Sequence, residues 1–216
     1  MNIHLDHEEA RILGCLLEKE MATPEYYPLT LNALVNACNQ KTNREPVVCY
    51  DEATVLSALD SLREKKLIRQ SNVSRVVKYE QIFTQELKLI AREEAVLCIL
   101  LLRGPQTIGE IRGRSERLYA FPSLDEVKET LTSLEDVALI RQLPRQPGRK
   151  EPRYAHLLSG EPQETEADTP VQAVAAPRAG SSNADRLEDL QQQIDSLREE
   201  MQQLREELAR FRSQFE

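Results

Sequence analysis

The stretch Asp51–Gln70, DEATVLSALDSLREKKLIRQ, decides the fold, because its pattern returns 72 residues further along the chain. The second copy is Ser123–Gln142, SLDEVKETLTSLEDVALIRQ, and both copies end in LIRQ. Apolar residues spaced four and three apart share one face of a helix. These residues are Val55, Leu59 and Leu62 in the first copy and Val127, Leu131 and Leu134 in the second. Since LIRQ is typical of a strand, the sequence predicts a helix that feeds a short strand, used twice.

The flanking segments also occur twice. Thr30 and Thr107, 77 positions apart, are predicted N-caps of a short second helix. The triplet Glu8-Glu9-Ala10 matches Glu93-Glu94-Ala95 at an offset of 85, and Arg75–Phe83 is predicted to return as the second strand of a hairpin. The offset changes only in loops, as expected of an internal repeat. Three helices and a β-hairpin make a winged helix with a helix-turn-helix at its centre.

The predicted fold is therefore mainly α with small β-hairpins, an α+β arrangement of two tandem winged-helix domains. A segment rich in Pro, Glu, Thr, Ala and Ser follows, and this composition is typical of a flexible linker. A C-terminal coiled-coil helix ends the chain. The predicted boundaries are 1–84 and 85–158 for the domains, 159–184 for the linker and 185–215 for the coiled coil.

The coiled-coil prediction rests on an unbroken three-four spacing of apolar residues. The seam comprises Leu187, Leu190, Ile194, Leu197, Met201, Leu204, Leu208 and Phe211, and Phe215 continues it. In a parallel pair Glu200 faces Arg205 and Glu207 faces Arg212 of the other chain, whereas an antiparallel pair sets like charges together. The charges thus favour parallel self-association, with dimer and trimer both open. The alternative is a single helix that folds back on its own body.

Composition narrows the function classes. The net charge is −8, and residues 159–216 carry −7 of it, so the body is nearly neutral. Any binding of nucleic acid by the body would depend on local basic patches and not on a strong overall field. The N-terminus lacks the apolar core of a signal peptide, and the longest apolar run, Ala95–Leu102, is too short to span a bilayer. We expect a cytoplasmic protein without membrane contact. The cysteines lack zinc-site spacing, which favours reduced thiols.

The sequence gives no support for an enzyme. It lacks a phosphate-binding glycine loop, a GxSxG elbow and an HExxH motif. His4 and His7 lie three apart, but a frayed terminus is the better interpretation than a weak metal site. We therefore expect neither catalytic residues, nor a metal, nor a cofactor.

Nucleic-acid binding is the next function to consider. The predicted fold favours it, but the charges on the predicted third helices do not. The third helix of a helix-turn-helix reads the major groove, yet both copies of it begin with carboxylates that would repel phosphates. Basic side chains lie in the hairpins and before the third helix instead, where wings can grip phosphates. The candidate contacts are Lys41, Asn43, Arg44, Arg75, Lys78, Arg145, Arg149, Lys150 and Arg153. The alternative is that these segments are solvated loops.

The segment Asn36–Val47, NACNQKTNREPV, carries a family resemblance. Together with LLLRGPQT at 100–107 and RYAHLLSG at 153–160, it resembles the YceH-like family of uncharacterised bacterial proteins over roughly residues 5–160. The resemblance implies a tandem winged helix and brings no activity, substrate or catalytic residue. It leaves open whether Asn36–Val47 is a contact surface or an internally bonded turn.

Two functional hypotheses follow. The first is a non-enzymatic, DNA-associated regulator that binds duplex DNA through its basic wings, with avidity supplied by the coiled coil. The second is a protein-interaction scaffold without DNA contact, similar to the tandem winged helices of chromosome-segregation adaptors. The acidic third helices and acidic tail favour the scaffold, whereas the basic wings favour DNA.

Overall fold

The computed structural model describes residues 3–71, 76–145 and 151–160, which combine helices with small antiparallel sheets. In the first copy the helices are α1 (His7–Ala22), α2 (Leu31–Cys38) and α3 (Glu52–Glu64), and the strands are β1 (Leu29–Thr30), β2 (Ile68–Ser71) and β3 (Lys78–Gln81). A short 3-10 turn, Pro24–Tyr26, lies between α1 and β1, and a connecting helix, α4 (Phe83–Leu87), follows β3.

The second copy repeats this order. Its helices are α5 (Ala91–Arg103), α6 (Ile108–Ser115) and α7 (Leu124–Asp136), and its strands are β4 (Ile140–Gln142) and β5 (Tyr154–His156). The predicted linker beyond Gly160 and the predicted coiled-coil seam, Leu187–Phe211, lie outside the described residues. In the described part of the chain no helix has both the length and the apolar character needed to cross a bilayer.

The two sheets share one plan. In the first, the strand order is β1-β3-β2, all antiparallel, with Leu29 opposite Tyr79 and Ile68 opposite Gln81. In the second, β4 pairs with β5 and Ile140 lies opposite His156. An isolated bridge between Gln106 and Tyr154 takes the place of β1. The position of each strand thus corresponds between the copies.

The predicted helix-strand repeat is confirmed. The helices α3 and α7 have the same length and begin 72 residues apart, and the six apolar residues named for their faces are buried. The helices α2 and α6 begin 77 residues apart, and the hydroxyls of Thr30 and Thr107 accept hydrogen bonds from the first turn at 3.3 and 3.2 Å. Identical caps and identical spacing of buried residues give both copies the same backbone.

The first helices correspond at an offset of 84, so the predicted offset of 85 is wrong by one residue. Glu9 accepts a hydrogen bond from the backbone N–H of Asp6, and Glu93 accepts one from that of Ile90. Ser61 of α3 donates to Glu9 at 2.6 Å, and Ser133 of α7 donates to Glu93 at 2.7 Å. The repeated letters Glu-Glu-Ala suggested the other alignment, but side-chain contacts define the register.

The core is continuous across both copies, because α1 packs against α5 at a small residue. A Cβ on Gly14 would lie 2.8 Å from Leu102 Cδ2, so the absence of a side chain permits the close approach. The thiol of Cys98 lies 3.6 Å from the Gly14 carbonyl oxygen. Gly14 and Cys98 are equivalent at the offset of 84, so the two helices cross at the same point of each. Such a crossing is what an approximate two-fold relation between the copies produces.

Candidate nucleic-acid interface

The third helices present few cations to solvent. On α3 the exposed face includes Leu56, Ser57 and Asp60, and on α7 it includes Asp125 and Lys128. Lys128 donates to Asp125 at 2.9 Å, which partly neutralises the only lysine on that face of the helix. The geometry therefore agrees with the sequence: these helices lack the basic surface of a major-groove reader.

The loop before α3 is bonded internally. The Asn39 side chain makes two hydrogen bonds of 2.8 Å with the backbone of Tyr50, one as donor and one as acceptor. The N–H of Glu45 donates to the Leu102 carbonyl of α5 at 2.9 Å, and Arg11 of α1 donates to the Pro46 carbonyl at 2.6 Å. These bonds favour the second alternative for Asn36–Val47, an internally bonded turn that joins α1 to α5.

Arg44, one of the predicted DNA contacts, has an internal role in this turn. Its guanidinium is inaccessible to solvent and lies 2.6 Å from Glu18, and it also donates to the Ala37 carbonyl at 3.1 Å. Burial lowers the pKa of Arg44, but the hydrogen bond to Glu18 and the negative charges nearby together outweigh that effect and leave the pKa raised. A phosphate has no access to a guanidinium held in this way, so we exclude Arg44 from the interface. Lys41 and Asn43 remain exposed.

Asn43 connects the turn to the second copy. Its side-chain oxygen accepts a hydrogen bond from Arg103, the last residue of α5. The backbone carbonyl of Arg103 accepts one from Gln106 at 3.1 Å, and the Gln106 side-chain oxygen accepts one from Arg114 of α6. A continuous chain of hydrogen bonds thus runs from the turn to the second helix of the second copy.

The chain of contacts continues to the second hairpin through Glu110. Arg114 lies 3.6 Å from Glu110, and Arg153, the residue before β5, lies 3.3 Å from it. Arg153 also donates to the Pro105 carbonyl at 2.6 Å. Three guanidiniums from three separate segments, those of Arg103, Arg114 and Arg153, therefore lie around the start of α6. We call these three residues the arginine ridge.

The charges of the ridge act on one another. Burial and the neighbouring charge of Arg114 lower the pKa of Arg103. Burial raises the pKa of Glu110, but the backbone N–H of Thr107 and the charges of Arg153 and Arg114 outweigh it and leave the pKa lowered. Glu110 is therefore ionised at neutral pH and orients two of the arginines. Glu110 lies beside Arg114 and Arg153, and Glu45 is a neighbouring carboxylate of Arg103, so the guanidiniums of the ridge outnumber these two carboxylates.

The wings are described only in part. Lys78 lies in β3, opposite Thr30 and Ser71, and Arg145 is exposed after β4. Arg69 forms an ion pair with Glu80 across the first hairpin at 2.5 Å. Arg75, Arg149 and Lys150 lie outside the described residues. Of the predicted contacts, the structure thus brings Asn43 and Arg153 into one hydrogen-bonded network.

Sequence reasoning missed Arg103 and Arg114, which connect those two residues. Neither residue was among the contacts predicted from the sequence. A signal was present, because four arginines lie between 103 and 117 whereas the equivalent segment of the first copy has none. A comparison of charge between the two copies would have found it.

Other chemistry has little support in the described residues. They contain no group of three or more His, Cys, Asp or Glu side chains able to hold a metal ion. Cys15, Cys38 and Cys98 are buried free thiols, and Cys49 is an exposed one.

The comparisons with known proteins define the class. The family model described as "Protein of unknown function, DUF480" matches residues 5–149. Relatives named UPF0502 protein are 51% identical over all of both chains in Geotalea daltonii and 50% identical over 90% of this chain and 93% of the relative in Solibacter usitatus. A further relative in Geobacter sulfurreducens is 47% identical over all of both chains. The chain belongs to this bacterial family, as the motifs of the turn and the second copy predicted.

Proposed function

We propose that the chain is a non-enzymatic tandem winged-helix protein that associates with duplex DNA as a coiled-coil oligomer. The winged-helix assignment is supported by the element order of the first copy, in which a strand separates the first two helices and a hairpin follows the third. The sheet order β1-β3-β2 places the returning strand at the centre, as that fold requires. The second copy has the same order with the Gln106–Tyr154 bridge as its first strand.

The observation that carries the DNA proposal is the arginine ridge. Arginine forks suit phosphate oxygens, and the first turn of a helix adds unpaired N–H groups and a partial positive charge. The ridge includes Arg153, which begins the returning segment of the second hairpin, and the sequence predicts Arg145, Arg149 and Lys150 as further cations of that wing. In this arrangement the second copy grips the backbone of the duplex, while its acidic third helix stays clear of the phosphates.

Contacts of this kind position a protein without reading bases. We therefore expect binding that tolerates different sequences and falls steeply with salt, because each neutralised phosphate releases counterions. Self-association through the C-terminal helix would raise the affinity of weak single modules by avidity.

Fluorescence anisotropy with a labelled duplex of random sequence, titrated with salt, tests the proposal. The variant that carries Arg103→Ala, Arg114→Ala and Arg153→Ala should bind more weakly. Its plot of log affinity against log salt should be shallower by about two to three, since each lost phosphate contact removes about one. The same measurement on Arg145→Ala, Arg149→Ala and Lys150→Ala tests the contribution of the wing.

The matched control removes three exposed cations that belong neither to the ridge nor to the predicted DNA contacts, through Arg63→Ala, Lys66→Ala and Lys88→Ala. It changes the net charge by the same amount as the ridge variant, so it should leave the slope unchanged if the ridge is the contact. An equal loss of DNA affinity in both variants would show that overall charge, and not the ridge, determines binding. Absence of binding by the native chain at low salt would overturn the DNA proposal.

A second candidate function is a protein-interaction scaffold, and one observation favours it. Leu56 on α3 is 42% exposed and Val47 before α3 is 56% exposed, beside the carboxylates of Asp51 and Glu52. Apolar side chains rimmed by charge are typical of a protein-binding surface. If DNA binding is absent, a partner retained by the native chain and lost with Leu56→Asp would establish this function instead.

A further inference from the structure

The first copy contains an ammonium group held by a buried carboxylate. Lys65, at the end of α3, places its Nζ 2.6 Å from both oxygens of Glu9 and 2.8 Å from the His4 carbonyl oxygen. Ser61 donates a further hydrogen bond to Glu9 at 2.6 Å. The Glu9 side chain is inaccessible to solvent, so Lys65 supplies the cation that this carboxylate requires.

The second copy repeats the carboxylate without the lysine. Glu93 accepts hydrogen bonds from Ser133 at 2.7 Å and from the N–H of Ile90 at 3.0 Å, as Glu9 does from Ser61 and Asp6. At the offset of 72, the position of Lys65 is occupied by Val137, which has no ammonium group.

The backbone around that position is the same in both copies. Lys66 and Ala138, the residues that follow, have φ angles of 58° and 56°. The next N–H returns to the helix in both cases, from Leu67 to the Leu62 carbonyl and from Leu139 to the Leu134 carbonyl, each at 3.0 Å. The difference between the copies is therefore confined to the side chain, and the space that Lys65 fills is vacant beside Val137.

A cleft of about 680 Å³ lies at this vacant position. Glu93 and Ser133 line it, and its apolar lining comprises Ile3, Leu87, Leu89, Val137, Leu139 and Leu157. The volume is within the range of small-ligand sites, roughly 300 to 1,000 Å³. Val137 is 59% exposed, so the cleft is open to solvent at this position.

We propose that this cleft binds an aliphatic primary amine, with the ammonium on Glu93 and Ser133 and the alkyl stem against the apolar lining. The ligand would occupy the place that the Lys65 side chain takes in the first copy. A carboxylate with a hydroxyl neighbour supplies the acceptors that an ammonium needs, and the leucines supply the surface for its methylenes.

The charges that line the cleft also constrain the ligand. Glu93 is the only carboxylate in the described lining, which also holds Lys88 and Arg141, so a second ammonium on the ligand finds no acidic partner and meets like charge. A monoamine should therefore bind more tightly than a diamine of the same length. Two sources share this chemistry, a free alkylamine and the lysine side chain of a partner protein.

An NMR titration of the ¹⁵N-labelled full chain tests the site. The probes are pentylamine, its neutral analogue 1-pentanol and 1,5-diaminopentane. For a ligand of this size we expect a dissociation constant on the order of a millimolar for pentylamine. Amide shifts should be centred on Leu89, Ser133 and Ala138, and 1-pentanol should bind at least about tenfold more weakly, because it lacks the charge-assisted bond. Equal binding of pentylamine and 1-pentanol would overturn the proposal.

Two variants sharpen the result. Glu93→Gln should weaken pentylamine binding by about tenfold or more, whereas Glu129→Gln, on the exposed face of α7, the helix that carries Ser133, should not change it. Val137→Lys should fill the site with its own ammonium, raise the midpoint of thermal unfolding and abolish the pentylamine shifts. Val137→Leu should leave the binding intact. If Val137→Lys or Glu93→Gln binds pentylamine as the native chain does, the amine site is wrong.

The source of the amine is decided by a further probe, Nα-acetyl-lysine N-methylamide. Tighter binding of this compound than of pentylamine assigns the site to a lysine side chain of a partner protein. Tighter binding of pentylamine assigns it to a free alkylamine. Both results keep the amine site, and absence of binding by both probes removes it.

Discussion

The two copies of the repeat have the same backbone arrangement but differ in their buried charged residues. In the first, the ion pairs Glu18–Arg44 and Glu9–Lys65 are largely enclosed in the fold. In the second, the position of Glu18 is taken by the buried Leu102, and that of Lys65 by the exposed Val137. The third positional difference lies in the hairpins, where Gln81 opposite Ile68 corresponds to His156 opposite Ile140.

Because of these differences, the polar groups at these positions have internal partners in the first copy, which we call closed, and lack some of them in the second copy, which we call open. Gln81 donates to Glu20 and Thr84 and accepts from the N–H of Thr84, so its polar atoms are satisfied. In the second copy the Nδ1 of His156 has no hydrogen-bond partner among the described residues, and the carboxylate of Glu93 faces a cleft. The arginine ridge lies in the same copy. At these positions the first copy thus pairs its polar groups inside the fold, whereas in the second copy Glu93 lines a cleft and the Nδ1 of His156 lacks a partner among the described residues.

The largest expected effect comes from breaking the ion pair that the second copy lacks. Arg44→Met leaves Glu18 as a nearly buried carboxylate and removes the bond to the Ala37 carbonyl. We expect the free energy of unfolding to fall by about 3 kcal/mol or more, as is usual when one partner of a buried pair is removed. Urea denaturation of the full chain, followed by circular dichroism, measures it.

The second copy supplies the control for this variant. Adding Glu18→Leu to Arg44→Met copies the apolar residue found at Leu102, removes the stranded charge and should recover most of the loss. Arg63→Ala, which breaks the exposed pair with Asp60, should cost less than about 1 kcal/mol. If the double variant is as unstable as Arg44→Met, the pair matters for its hydrogen bonds to the turn and not for its charge balance.

A smaller effect is expected at the crossing of the two copies. Gly14→Ala places a methyl group 2.8 Å from Leu102 Cδ2 and 3.1 Å from Leu101 Cβ, so the buried Leu102 side chain or the two helices must shift. The expected cost is about 1 to 2 kcal/mol. Gly113→Ala in α6 is the matched control, since its new Cβ would meet nothing within 4 Å. That variant should stabilise the chain by about 0.5 to 1 kcal/mol through helix propensity. Equal effects of the two substitutions would contradict close packing at Gly14.

Much of the fold was predictable because the same sequence pattern occurs in two copies. The offset of 72 between Asp51 and Ser123 fixed the helix-strand unit, and caps at Thr30 and Thr107 fixed the second helices. Local patterns of this kind need only neighbours in sequence. The register of the first helices was off by one, because Glu9 and Glu93 are defined by bonds to serines 52 and 40 residues away. Long-range bonds leave no local pattern.

The candidate site was less predictable for the same reason. Lys41, Asn43 and Arg44 look alike as polar loop residues, yet the partner of Arg44 is Glu18, 26 residues earlier, and that pairing decides its burial. Arg103 and Arg114 join the turn to the second wing only after α5 and α6 are packed. The cleft beside Val137 could be recognised only by comparing the two folded copies, because Lys65 fills the equivalent space in the first copy.

The smallest effect expected is a pH dependence confined to the second copy. Burial and the neighbouring charge of His7 lower the pKa of His156 from its usual 6.5 to about 4. His156 therefore becomes protonated below pH 6.5 in the unfolded chain, but only below about pH 4 in the folded chain. Because the unfolded chain binds the proton more readily, this histidine lowers the free energy of unfolding as pH decreases from 6.5 to 4. Between pH 8 and pH 6 the loss should be about 1 kcal/mol, before most carboxylates titrate. His156→Gln copies the first copy's Gln81 and should remove this part of the dependence, as measured by urea denaturation at both pH values. The control is His4→Gln, which replaces a histidine of the N-terminal segment and should retain the pH dependence. An unchanged pH dependence in His156→Gln would show that His156 keeps its usual pKa and that the two hairpins are equally closed.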